Sequence, residues 1–71
     1  ENIKVLVNFD DNKVKPIAFR RSGRLYKIEE VNLVHSFKEG NRRIFNFHVS
    51  DSANSYNLRF ESDVLRWYIE E

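Results

Sequence analysis

Apolar side chains recur at every second position through most of this chain. Ile3, Val5, Val7 and Phe9 alternate with Asn2, Lys4, Leu6 and Asn8, and Phe45, Phe47 and Val49 alternate with Ile44, Asn46 and His48. The same spacing returns in Tyr56, Leu58 and Phe60, and again in Leu65, Trp67 and Ile69. In an extended chain successive side chains point to opposite faces, so a period of two marks strands that bury one face and leave the other to water. Between these runs lie short clusters of turn formers: "DDNK" at 10–13, "RSGR" at 21–24, "KEGN" at 38–41 and "DSANS" at 51–55. Asp, Asn and Gly tolerate the left-handed backbone that tight hairpins demand, so each cluster reads as a reversal between antiparallel strands.

Three places depart from the simple pattern. Pro16 interrupts the second run, Val14 to Arg21; lacking an N–H, it belongs on an edge or at a bulge. The third run, Arg24 to Phe37, changes phase: Tyr26 and Ile28 have one parity, whereas Val31, Leu33, His35 and Phe37 have the other. A bulge or sharp bend is expected at Glu29-Glu30, the means by which a small sheet curls. The last run reads as a strand from its Val, Trp, Tyr and Ile content. The alternative is a short helix over 62–69, with Ser62 or Asp63 as its cap.

Six strands joined by short connections predict an all-β fold, an antiparallel six-stranded meander curled into an SH3-like or closed barrel. Closure would remove the unpaired edges that an open sheet exposes. A chain of 71 residues is expected to be a single domain spanning 1–71. It has no cysteine, so no disulfide supports it. Its ten aromatic residues must supply much of the core.

The residue types argue against catalysis. There is no cysteine nucleophile, no Gly-x-Ser-x-Gly turn and no glycine-rich phosphate loop, since both glycines fall in hairpin turns. The adjacent carboxylates Asp10-Asp11, Glu29-Glu30 and Glu70-Glu71 point to opposite faces of a strand and cannot share a substrate. His35 and His48 lie at unequal distances from the centre of the 38–41 turn, so they are not expected as direct partners and no metal site is read there. No cofactor and no small-molecule substrate is inferred. No apolar run is long enough for a membrane helix and no signal peptide is visible, so a cytoplasmic location is expected.

Charge is the remaining lead. The net charge is only +1, but Lys13 to Arg43 holds nine cations against Glu29, Glu30 and Glu39, a local net of +6. Arg20, Arg21, Arg24, Lys27, Arg42 and Arg43 are the candidate nucleic-acid contacts. They cluster beside two turns, and cations placed at hairpin ends can follow a phosphate backbone. Charged hairpin tips also serve simply to keep a β protein soluble. The second reading is a protein-interaction or self-associating surface, a homodimer included, built on the outward-parity residues Leu6, Ile44, Val64 and Tyr68.

The sequence Pro16-x-x-Phe19-x-x-x-Gly23-x-x-Tyr26-x-Ile28, followed by Tyr56-x-Leu58-x-Phe60 and Trp67-x-Ile69, resembles a family of short bacterial β-rich single-domain proteins with no assigned function. The shared positions are core aromatics and turn residues. The resemblance implies a bacterial, cytoplasmic origin and carries no site residue over. The reading that follows is a non-catalytic binding module whose basic face contacts nucleic-acid phosphates.

Overall fold

The turn clusters fold as tight reversals, and their backbone explains the residues chosen. A computed structural model describes residues 2–70. Asp11 and Asn12 both have positive φ (47° and 68°), as do Ser22 and Gly23 (52° and 78°), the signature of two-residue type I′ hairpins. Gly40 alone is left-handed in its turn (φ 65°), as a type II′ reversal requires. These turns separate β1 (Asn2–Asp10), β2 (Lys13–Arg21) and β3 (Arg24–Lys27), and then β4 (Glu30–Glu39) from β5 (Arg42–Ser50). β6 (Ser55–Glu61) and β7 (Arg66–Glu70) complete the chain. All pairing is antiparallel, in one sheet of order β3-β2-β1-β7-β6-β5-β4. No helix among the described residues is long and apolar enough to cross a membrane.

The all-β antiparallel architecture agrees with the sequence reading; three details are corrected. There are seven strands rather than six, because the third run breaks at Ile28-Glu29 into β3 and β4. The 62–69 helix is absent: Ser62–Leu65 forms a turn, with Leu65 at φ 56°, and β7 follows directly. The sheet is an open half-barrel rather than a closed one, since β3 and β4 occupy opposite ends of the strand order. The reason lies in the bend. Ile28 N–H donates to the Ile17 carbonyl (3.0 Å) and Glu29 N–H donates to the Ser50 carbonyl (2.9 Å). Two consecutive residues therefore touch β2 and β5, each one strand in from an edge, and tie the two sides of the sheet together at one corner without a ladder between β3 and β4.

Pro16 is fully buried at a bulge where β1 shifts register between Leu6 and Val7. β3 pairs with β2 only from Ala18 to Arg21, so the missing N–H of Pro16 interrupts no ladder there. The core fills the concave side with Ile3, Phe19, Phe47, Val49, Leu58 and Ile69. Phe19 stacks on Tyr26 at 4.9 Å, and Tyr56 meets both rings edge-on at 5.1 and 5.8 Å. β3 and β6 are not sheet neighbours, so the Tyr26–Tyr56 contact spans the hollow of the curl. Toward the open end, Trp67, Phe60 and Phe45 form a cross-strand row with ring separations of 4.6 and 6.1 Å. These half-buried rings stack on one another and on Phe47, and belong to the packing of the core.

Candidate nucleic-acid interface

The register sorts the basic residues by face. On the convex side of the β1–β2–β3 meander, Lys4 lies directly opposite Arg20, Lys27 directly opposite Ala18, and Lys15 opposite Asn8. Lys4, Lys15, Arg20 and Lys27 are all exposed, and none makes an ion pair among the described residues. Directly opposed residues have Cβ atoms about 4.5–5.5 Å apart, and like charges so placed are destabilising. The Lys4–Arg20 pair thus concentrates positive potential where neither residue has an acid as a ladder partner. Lys13 adds less, because it faces Asp10.

A groove begins where this face ends. Among the described residues β1 pairs with β7 through Asn2–Tyr68 and Ile3–Trp67, and the ladder does not continue to Lys4. Asn2, Ile3, Lys4, Val5, Leu65, Arg66 and Trp67 line the opening. Lys4 stands at its rim, shared with the basic face.

The two sequence-predicted clusters do not come together. Arg20, Arg21, Arg24 and Lys27 belong to β2 and β3, whereas Arg42 and Arg43 belong to β5, with β1, β7 and β6 between β2 and β5. Within the first cluster the faces also differ. Arg20 and Lys27 have the convex parity; Arg21 and Arg24 oppose each other on the other parity, and the Arg24 guanidinium lies 5.9 Å from the Tyr26 ring centre. Arg42 is held by Asp63 at 3.0 Å and Glu61 at 3.6 Å. Glu61, nearly buried, also receives Arg59 at 3.3 Å, and Arg59 reaches Glu39 at 3.8 Å. Arg43 faces Lys38 across the ladder, and its carbonyl accepts from the Ser62 backbone and hydroxyl. The β4–β5 end is therefore a mixed ion-pair network, and the β1–β3 face is the uncompensated one. Lys4 and Lys15 were missed in the sequence reading, although the alternation already gave Lys4 a place on the outward parity.

The residues of the apolar alternative lie on β1, β5, β7 and the β6–β7 turn. Leu6 and Val64 are exposed, Tyr68 is half-buried, and Ile44 is completely buried. Ile44 has the convex parity but is shielded beside its ladder partners Phe37 and Glu61.

His35 and His48 are closer than the turn-centred count implied. The ladder pairs His35 with Asn46 and Leu33 with His48, making the histidines diagonal neighbours with ring centres 6.0 Å apart. Among the described residues, no group of three or more His, Asp or Glu side chains gathers that could hold a metal.

The groups with displaced pKa values anchor a loop. N–H donations from Ala53 and Asn54, at 2.8 and 2.7 Å, hold the Asp51 carboxyl below its ordinary range. Burial, and then the charge of Asp51, push Tyr56 upward. Glu29 accepts the Ser52 N–H at 2.9 Å, docking the corner onto this loop.

No protein-family profile matches the chain, and neither a curated protein nor a solved structure does.

Proposed function

We propose that this protein is a non-catalytic binding module that holds nucleic acid by its phosphates, on the convex face of β1–β3. The observation that carries the reading is the direct opposition of Lys4 and Arg20, with Lys27 one rung and Lys15 two rungs further along the same face and no acid paired with any of the four. A phosphate placed between Lys4 and Arg20 turns a repulsive pair into a bridged one. Arg20 and Lys15 spread the contact along β2, and Lys4 carries it to the groove beside Arg66 and Trp67. Such contacts are sequence-independent and sensitive to salt.

Fluorescence anisotropy with labelled single- and double-stranded oligonucleotides, titrated with salt, tests this. With about four phosphates neutralised, the logarithm of the binding constant should fall against log salt with a slope of about −3 for the single strand and about −3.6 for the duplex. Lys4→Ala and Arg20→Ala should each flatten that slope by roughly one. Arg42→Ala should leave it unchanged, because Arg42 is occupied by Asp63 and Glu61. Absence of salt-dependent binding at low ionic strength would falsify the reading. Equal losses from Arg42→Ala and Arg20→Ala would remove the β1–β3 face as its site.

A further inference from the structure

The two edges of the sheet are built differently. β3 is four residues long and carries Arg24 and Lys27, a short charged edge of the kind that discourages pairing. β4 is ten residues long, contains no proline, and has no Lys or Arg before Lys38. Along it Leu33, Val34 and Phe37 are 49, 48 and 39% exposed. We infer that β4 is the interface through which two copies of this chain associate, edge to edge and antiparallel.

The backbone says which groups are free to pair. In a two-residue hairpin the closing residues exchange hydrogen bonds, so Glu39 is bonded to Arg42. Alternation then turns Phe37, His35 and Leu33 toward β5, and leaves the N–H and C=O groups of Val34, Ser36 and Lys38 on the open edge.

Two-fold symmetry selects the register. The axis must pass through a residue paired with its own copy, because a register centred between two residues would oppose an outward-bonding residue to an inward-bonding one. An axis at Ser36 would set Val34 against Lys38 and Leu33 against Glu39. An axis at Val34 would carry the pairing into the β4 irregularity between Val31 and Leu33. An axis at His35 sets Leu33 against Phe37 of the second copy, twice, and lets Val34 and Ser36 exchange backbone hydrogen bonds. Leu33 meets Phe37 only there, and the pairing stays clear of the Val31/Leu33 irregularity, so His35 lies on the axis. The two half-barrels then share one continuous sheet, and the long edge of each is covered.

Because the chain has no native cysteine, the register can be trapped chemically. Two copies of His35 form a non-hydrogen-bonded pair with Cα atoms about 4.5 Å apart, within the range a disulfide spans. Sedimentation of the wild-type protein from micromolar to millimolar concentration should show a monomer–dimer equilibrium. Ser36→Pro removes an N–H that no partner within the chain uses, and should abolish the dimer while the far-ultraviolet circular dichroism persists. Should that variant fail to fold, Ser36→Lys supplies the same test by charging the edge. Mild oxidation of His35→Cys should yield a covalent dimer, with Asp63→Cys as the non-linking control. A strict monomer throughout overturns the inference. So does a dimer that both Ser36 variants leave intact, or one that His35→Cys does not trap above the control.

Discussion

Ile44→Ala is the substitution that most directly tests the packing. Ile44 lies on the convex parity of β5, away from the main core cluster, yet none of its surface is exposed. Its ladder partners are Phe37 on β4 and Glu61 on β6, the second drawn down by Arg42 and Arg59. Truncating a buried Ile to Ala typically costs 2–5 kcal/mol, and the lower half of that range applies where neighbours can relax. Phe37 is partly exposed and can settle inward, so the expected loss is about 2–3 kcal/mol. Marginal stabilities of 0.05–0.15 kcal/mol per residue give a chain of this length roughly 4–11 kcal/mol in total. The substitution would therefore remove a large share of it. For a small domain the melting temperature should fall by about 10–20 °C, and with an m-value near 1 kcal/mol/M the urea midpoint should drop by roughly 2–3 M. Trp67, half-buried against Phe60 at 4.6 Å, supplies the fluorescence signal for both measurements. Leu6→Ala is the control: Leu6 has the same parity but is 61% exposed, and its loss should stay within about 0.5 kcal/mol. If Ile44→Ala behaves like Leu6→Ala, the convex face holds no packed interior and the reasoning fails.

Other outcomes follow from the same geometry. Arg20→Glu should stabilise the fold by a few tenths of a kcal/mol, replacing repulsion from Lys4 with attraction, while weakening oligonucleotide binding; parallel melting and anisotropy measurements would check the opposite signs. Gly40→Ala should cost about 1 kcal/mol in urea unfolding, wholly from its φ of 65°, because a Cβ there would meet nothing within 4 Å. A D-alanine at the same position, introduced by chemical synthesis, should recover that loss. The lowered pKa of Asp51 means that the folded state binds its proton less readily than the unfolded chain. Its contribution is therefore complete above the ordinary value of 3.8 and disappears as pH falls through the lower folded value. Asp51→Asn should flatten the acid limb of a melting-temperature profile measured below pH 4.

The strands were legible because their alternation is a local property: Val5, Phe47 and Leu58 announce their face two residues at a time. The corner was half legible. The parity change at Glu29-Glu30 revealed a bend, but only the bonds from Ile28 to Ile17 and from Glu29 to Ser50 show that it touches both β2 and β5. What the sequence hid was pairing between strands. Lys4 and Arg20 are sixteen positions apart, and nothing local to either indicates that they face each other. His35 and His48 illustrate the same limit, since a shift in the turn centre converts distant histidines into diagonal neighbours. Ile44 failed for a related reason. Parity assigns a side chain to a face, but whether that face is wet depends on what the adjoining strands place beside it. The 62–69 segment carries both a helix cap and strand formers, and the β6–β7 pairing decided between them.

The sparse β1–β7 seam has a consequence for how the molecule assembles. β1–β3 and β4–β7 are two meanders, each built from contacts between neighbours in the chain. Among the described residues they meet along the ladder at Asn2–Tyr68 and Ile3–Trp67, pairs separated by almost the entire chain. Loop-closure entropy makes such remote contacts the slowest to form and local hairpins the quickest. The β5–β6 hairpin region should therefore organise early and the seam last, with the corner at Ile28-Glu29 acting as a tether that limits the final search. Amide exchange would then rank the β5 and β6 protons as slowest and those at the seam as first to open, although both lie within a single sheet.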